Sequence, residues 1–223
     1  MFSIDDIYLY IFCWNKVVDN SCQLYTEISA VCPNTTIINC DERRPLDTDK
    51  YKSIQLDDSY YYGGQFETAI KATPAGKVFA CITGDVLPGA NWQGIMENTL
   101  KYMNRGDVGI IAPNVIVTPW TGRGQHVVDD LWVVDNTDCT FWFIHPTIIG
   151  AIGHLEYRAL SNYGWGIDKI YILESRDRNL LTVRDYSETV YQPDTTGYNK
   201  WEANSQMNKL LTAYNEYKAS KSN

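Results

Sequence analysis

The sequence lacks the features that mark several common classes of protein. Its longest apolar run, Ile7 to Trp14, has eight residues, whereas a membrane-spanning helix needs about 20. It contains three histidines and no C-x-x-C pair, so a zinc site is not expected. Neither of the common phosphate-binding loops, G-x-G-x-x-G and G-x-x-x-x-G-K-[ST], occurs, and the G-x-S-x-G motif of serine hydrolases is also absent.

Positive charge is scarce as well. Lysine and arginine number 19 against 27 aspartates and glutamates, for a net charge of −8. This balance argues against broad binding to nucleic acid or to anionic membranes, although a local basic pocket for a phosphate remains compatible with it.

The N-terminus and the cysteines indicate a reducing compartment. The first residues have no basic segment of the kind that opens a secretory signal. Most of the six cysteines lie inside apolar runs, which is typical of buried free thiols. We therefore expect a cytoplasmic protein without a transmembrane segment, and the length also allows it to be one part of a larger, multi-domain chain.

Strand and helix patterns alternate over the first 110 residues. Ile7–Trp14 and Thr35–Asn39 read as buried strands around a helix from about Cys22 to Cys32, capped by Asp19, Asn20 or Ser21. A β-α-β unit of this kind is typical of a parallel sheet. Further strands are predicted at 77–82, 108–112, 131–134, 140–144, 180–183 and 189–191, and a mobile loop at 118–126. We predict a single α/β domain with a mixed, mostly parallel central sheet flanked by helices.

Two aspartates stand where such a sheet would bind a ligand, because ligands of open α/β sheets bind beyond the carboxyl ends of the strands. Asp85 comes directly after the buried strand that ends near Ile82, a good position for a divalent cation that binds phosphate oxygens. Asp168 follows Gly164-Trp165-Gly166 and is a candidate general base. An aspartate after a strand, such as Asp85, is more often a turn former or a helix cap, and the segment that ends in Asp168 is equally consistent with a tight loop and a cap.

Four segments together resemble the GT-A glycosyltransferases of the family 2 type. Residues 62–92 are similar to a helix followed by A-x-G-x-x-x-x-F-x-D-x-D and then Pro and Trp. Residues 139–156 resemble the acceptor-side strand, helix and G-G-F-D-E segment. Residues 164–168 resemble G-W-G-x-E-D, and residues 190–198 resemble the late V-x-H-P strand end. The order and spacing of these segments span about residues 5 to 200.

The resemblance implies a GT-A-like, Rossmann-like domain over residues 1–223. Its nucleotide-sugar-binding half would be about 1–110, its acceptor-side half about 111–200, and its last helix 200–217. It implies a UDP-sugar donor, a carbohydrate or glycoconjugate acceptor, Mn²⁺ or Mg²⁺ as cofactor, and transfer with inversion.

The resemblance also assigns roles to residues. Trp14 would stack on the nucleotide base, and Asp41 or Asn39 would meet the uracil edge. Asp85 would hold the metal that bridges the diphosphate, and Asp168 would deprotonate the acceptor hydroxyl.

Three positions depart from the family pattern. Thr83 stands in place of the first Asp of D-x-D, Ile167 in place of the Glu before the base, and Gln192 in place of the late His. Thr83 and Gln192 can still supply oxygen atoms to a metal beside Asp85, but with less charge.

Two alternatives remain open. Thr83, Ile167 and Gln192 are also consistent with a non-catalytic nucleotide- or sugar-binding module on the same fold. The other alternative is a sugar nucleotidyltransferase. Such enzymes usually carry a glycine-rich, basic loop after the first strand, and Cys13-Trp14-Asn15-Lys16 contains no glycine.

Overall fold

The computed structural model describes residues 1–116, 124–137, 139–193 and 199–221, which form an α/β fold around one mixed sheet. The strands are β1 (Ile7–Cys13), β2 (Thr35–Asn39), β3 (Ser53–Gln55), β4 (Val78–Thr83), β5 (Val108–Ile116), β6 (His126–Val128), β7 (Leu131–Val133), β8 (Phe141–Ile144) and β9 (Leu181–Tyr191). The helices are α1 (Val18–Ser29), α2 (Tyr62–Ala72), α3 (Trp92–Met103), α4 (Pro146–Ile152), α5 (Tyr157–Ser161), α6 (Ile167–Asp177) and α7 (Lys200–Lys221).

Within the described ranges the strand order is β3-β2-β1-β4-β8-β5-β9-β7-β6. Strand β1 pairs in parallel with both β2 and β4, while β8 runs antiparallel between β4 and β5. Strands β5 and β9 are again parallel. The predicted mixed, mostly parallel sheet is confirmed. The chain order reverses at β1, and in open α/β sheets the crevice at such a reversal is where ligands bind.

Helices cover both faces of the sheet, which explains why the central strands read as continuous apolar runs. On one face Leu9 and Ile11 of β1 pack with residues of α1 and α3. On the other, Tyr10 and Phe12 pack with residues of α2, α4, α6 and α7. Trp142 is fully buried in this second layer, and none of the six cysteines forms a disulfide in the described part of the chain, as the sequence predicted.

Several predicted boundaries need correction. Helix α1 begins at Val18, so the expected caps Asp19, Asn20 and Ser21 lie inside it. The two late strands predicted at 180–183 and 189–191 are one strand, β9, with a register shift opposite Pro113 and Asn114. Strand β5 continues past its predicted end to Ile116. Most of the loop predicted at 118–126 falls outside the described residues.

No helix in the described part of the chain is both long and apolar enough to cross a bilayer.

Candidate functional site

The turn Thr83–Gly84–Asp85 lies at the carboxyl edge of the sheet and is held from two sides. The backbone N–H of Gly84 donates to the carbonyl of Phe12 at 2.8 Å. A Cβ atom on Gly84 would lie 2.2 Å from Oγ of Ser21, so this close approach to α1 requires glycine. The turn is therefore pressed against β1 and α1.

Asn20 fixes the same turn from α1. Its Nδ2 donates to the carbonyl of Gly84 at 2.6 Å and to that of Val86 at 2.7 Å. The sequence suggested Asn20 only as a helix cap. A local pattern cannot reveal this role, because the carbonyls it binds lie more than 60 residues further along the chain.

Gln192 joins this turn from the end of β9. Its Nε2 lies 3.2 Å from both Oδ1 and Oδ2 of Asp85 and 3.4 Å from Oγ1 of Thr83. Its Oε1 accepts a hydrogen bond from Oγ1 of Thr140 at 2.9 Å. Thr83, Asp85 and Thr140 are all buried. The structure thus brings together three residues that the resemblance selected, Thr83, Asp85 and Gln192.

As arranged, these residues do not fit a divalent cation. Mg²⁺ and Mn²⁺ bind sets of oxygen ligands in which carboxylates supply the charge. Among the described residues that meet here, Asp85 supplies the one carboxylate, and Gln192 presents an amide nitrogen to it, which is a hydrogen-bond donor. No group of three His, Cys, Asp or Glu side chains that could hold a metal occurs among the described residues.

Asn39 ends β2, and Asp41 follows in the loop after it. Asn39 is fully buried, and its Nδ2 donates to the carbonyl of Arg44 at 2.9 Å and to Oε1 of Gln55 at 3.0 Å. A ligand could reach this amide only by displacing those bonds. Asp41 is also buried, with Oδ1 accepting from the backbone N–H of Arg43 at 3.0 Å.

The connection after β1 is short. Half-buried Trp14 precedes a 3-10 turn, Asn15–Val17, that leads directly into α1 at Val18. Lys16 in this turn is exposed. Trp14 therefore stands at the carboxyl edge, where an indole ring can stack on a base.

Gln65, a residue that sequence reasoning missed, ties the ends of β1 and β2 together. It lies in the first turns of α2, and its Nε2 donates to the carbonyl of Cys13 at 3.0 Å and contacts Sγ of Cys40 at 2.7 Å. The sequence does place a polar glutamine next to the apolar Phe66 at the start of a predicted helix, and this is the pattern that could have indicated a buried polar contact. Burial raises the pKa of Cys13 and of Cys40 to about 12, which excludes both thiols as nucleophiles near neutral pH.

Asp168 lies in the first turn of α6, directly after the left-handed Gly166 (φ 89°) and Ile167. Helix α6 runs back toward the start of β9, so its N-terminal end lies at the carboxyl edge of the sheet. Two contacts support this placement. Gly164, just before α6, packs on Tyr62, and the ring of Tyr62 contacts Phe12 at the end of β1. Asp168 is half-buried.

Comparison with known proteins shows the fold. No protein-family model and no curated protein matches the sequence. Among solved structures, apo UDP-glucose pyrophosphorylase superposes with a TM-score of 0.51 and 9% identity, over 94% of this chain and 99% of that one. UDP-glucose pyrophosphorylase from Acinetobacter baumanii superposes with a TM-score of 0.54 and 6% identity, over 83% of this chain and 88% of that one.

Both structures are named UDP-glucose pyrophosphorylases. At such low identities the likeness establishes a shared α/β fold and leaves binding and reaction open.

Proposed function

We propose that this chain is a nucleotide-sugar-dependent glycosyltransferase, which binds a nucleoside diphosphate sugar at the carboxyl edge and transfers the sugar to an acceptor hydroxyl. The observation that carries the proposal is the buried Thr83–Asp85 turn, clamped by Asn20 and joined by Gln192. This turn lies next to the reversal of strand order, on a fold shared with UDP-glucose pyrophosphorylases.

On the donor side, the residues after β1 and β2 suit a nucleotide. The indole of Trp14 offers a stacking surface for the base. Asp41 only accepts hydrogen bonds when ionised, so it selects a base edge with an N–H group, such as N3–H of uracil. The exposed cations Lys16 and Arg43 follow the same two strands and can approach the diphosphate. UDP is therefore the first nucleotide to test.

On the acceptor side, Asp168 serves as the general base. Its carboxylate takes the proton of the acceptor hydroxyl as that oxygen forms a bond to the anomeric carbon. The bond from this carbon to the diphosphate breaks, and its electron pair leaves with the phosphate oxygen. Attack from the face opposite the leaving group inverts the anomeric configuration.

Sugar nucleotidyl transfer is the second candidate, and the likeness to UDP-glucose pyrophosphorylases favours it. Such an enzyme joins a nucleoside triphosphate to a sugar 1-phosphate and releases pyrophosphate. The short connection from Cys13 to Val18 argues against it, because it contains no glycine and passes directly into α1.

Two assays on the purified chain separate the candidates. In the first, UDP release is measured from a panel of UDP-sugars, with and without simple glycoside acceptors. In the second, pyrophosphate release is measured from UTP and glucose 1-phosphate. We expect UDP release alone. Pyrophosphate release without UDP release would transfer the assignment to the second candidate, and UDP binding without either product would indicate a binding module.

A further inference from the structure

The amide nitrogen of Gln192 occupies a symmetric position in front of Asp85, 3.2 Å from each carboxylate oxygen. A cation chelated by a carboxylate lies on the same axis between the two oxygens. We propose that Gln192 takes the place of a divalent cation at this edge, so that the chain binds its nucleoside diphosphate without a metal. The second part of this statement rests on the proposed function; the first does not.

The orientation of the Gln192 amide follows from its two neighbours. Oγ1 of Thr140 donates to Oε1, which leaves the NH₂ group toward Asp85 and Thr83. Turning the amide over would set its carbonyl oxygen against a carboxylate, two groups that only accept hydrogen bonds. With no cation between the two side chains, this repulsion fixes which end of Gln192 faces Asp85.

The backbone holds Gln192 in place as well. Its N–H donates to the carbonyl of Ile116 at 3.3 Å, which extends the pairing of β9 with β5 to this residue. Thr140 directly precedes β8, and its carbonyl accepts from the N–H of Thr83 at 2.8 Å. The Gln192 side chain thus links the ends of β9 and β4 to the start of β8, and a metal could enter only by breaking this link.

Without a metal, the charge of the diphosphate must be met by side chains. The exposed Lys16 and Arg43 follow β1 and β2 at the same edge. Binding through such cations weakens as salt is added, because exposed charges are screened.

Titration of Mn²⁺ alone, followed by the loss of its free-ion electron paramagnetic resonance signal, tests the first part. We expect the wild type and Asp85→Asn to bind Mn²⁺ with affinities within about twofold of each other, since Asp85 is not a metal ligand. Gln192→Glu supplies a second carboxylate and should bind at least about tenfold more tightly than the wild type. The double variant Asp85→Asn/Gln192→Glu should lose that gain.

Two results would overturn the first part: Mn²⁺ binding to the wild type about tenfold tighter than to Asp85→Asn, or a folded Gln192→Glu variant with no gain. Thermal melting establishes whether each variant is folded. If Gln192→Glu does not fold, the Mn²⁺ affinities of the wild type and Asp85→Asn still show whether Asp85 is a metal ligand.

Calorimetric titration of UDP, with Mn²⁺ and with a chelator, tests the second part. The affinities should agree within about twofold. An increase of about tenfold with Mn²⁺ that Asp85→Asn abolishes would contradict metal-free binding. Absence of UDP binding under both conditions would remove the proposed function and with it the second part, while the titration of Mn²⁺ alone would still decide the first.

Discussion

A buried carboxylate lies toward each of the two edges of the sheet, and the two carboxylates have different hydrogen-bonding partners. At the carboxyl edge, both oxygens of Asp85 accept hydrogen bonds from the neutral amide of Gln192. Toward the opposite edge, Glu174 is 2% exposed and meets Nε of Arg178 at 2.7 Å and Nζ of Lys218 at 3.4 Å. The hydroxyl of Tyr214 donates to it as well, at 3.1 Å.

This difference is the one expected between a structural cluster and the proposed binding site. Arg178 and Lys218 oppose the charge of Glu174 directly, and their heads keep contact with solvent. The cluster around Glu174 therefore joins α6 to α7. The amide of Gln192 satisfies hydrogen bonds of Asp85 without opposing its charge. We expect substitutions at the carboxyl edge to affect ligands and those at the other edge to affect stability.

The largest effect is expected from Asp168→Asn. An amide cannot take the acceptor proton, so the rate of sugar transfer should fall about 10³-fold. Because the side chain is half-buried in a first helical turn and its shape is kept, the melting temperature should change little. The matched control is Asp177→Asn at the other end of α6, which should transfer at the wild-type rate. Equal rates in all three proteins would exclude Asp168 as the base.

The next effect in size is expected from Glu174→Gln. The amide still accepts from Tyr214 but no longer balances the two cations, so the free energy of unfolding should fall by about 2 kcal/mol. This value is kept below that of a fully buried pair because Arg178 and Lys218 are 38% and 35% exposed. Urea unfolding measures the change. The exposed Glu97→Gln is the control and should change the free energy by less than about 0.5 kcal/mol. A similarly small change in Glu174→Gln would mean that the Glu174 cluster does not stabilise the fold and that the proposed difference between the two edges is wrong.

A smaller effect is expected from Asn20→Asp. A carboxylate facing the carbonyls of Gly84 and Val86 removes two hydrogen bonds and adds repulsion, at a cost of about 1–2 kcal/mol in the free energy of unfolding. UDP should also bind more weakly, because the turn that carries Asp85 loosens. The neighbouring Asp19→Asn, whose carboxylate is 88% exposed, should change neither quantity measurably. Unchanged UDP affinity in Asn20→Asp would separate the turn from the nucleotide site.

The smallest effect is expected at the start of β1. The hydrogen bond from Lys77, with those from the backbone and hydroxyl of Ser3, lowers the pKa of Asp6 from 3.8 to about 2. A lowered pKa in the folded state stabilises the fold above the unfolded value and loses that contribution as the pH falls toward 2. The melting temperature of Asp6→Asn should therefore be lower than that of the wild type at pH 7, by an amount that shrinks below about pH 4. A difference that stays constant down to pH 3 would contradict this assignment.

The fold could be predicted from the sequence because its central strands are apolar on both faces and are bounded by polar turns. β2 was predicted with its observed ends, Thr35–Asn39. Strand β9 was predicted as two strands because Asp185 to Glu188 is polar. In the structure, residues 186–188 form the register shift opposite Pro113 and Asn114, and Asp185 there accepts hydrogen bonds from Ser187 and Asn98.

The candidate site could be predicted only in part. Positions after strands indicated Thr83 and Asp85, since a sheet brings strand ends together. The role of Asn20 and the direction of the Gln192 amide depend on contacts between distant segments, to which no local pattern refers. Family resemblance suggested Gln192 as an oxygen donor to a metal, whereas the structure presents its nitrogen to Asp85.

Calorimetric titration of UDP into the wild type, Trp14→Ala and Glu174→Gln tests the central claim most directly, namely that the carboxyl edge is the nucleotide site. Loss of base stacking should weaken UDP binding by about tenfold in Trp14→Ala. Glu174→Gln should bind UDP as the wild type does, because its cluster lies toward the other edge. Absence of UDP binding to the wild type, or equal affinity in Trp14→Ala, would contradict the account.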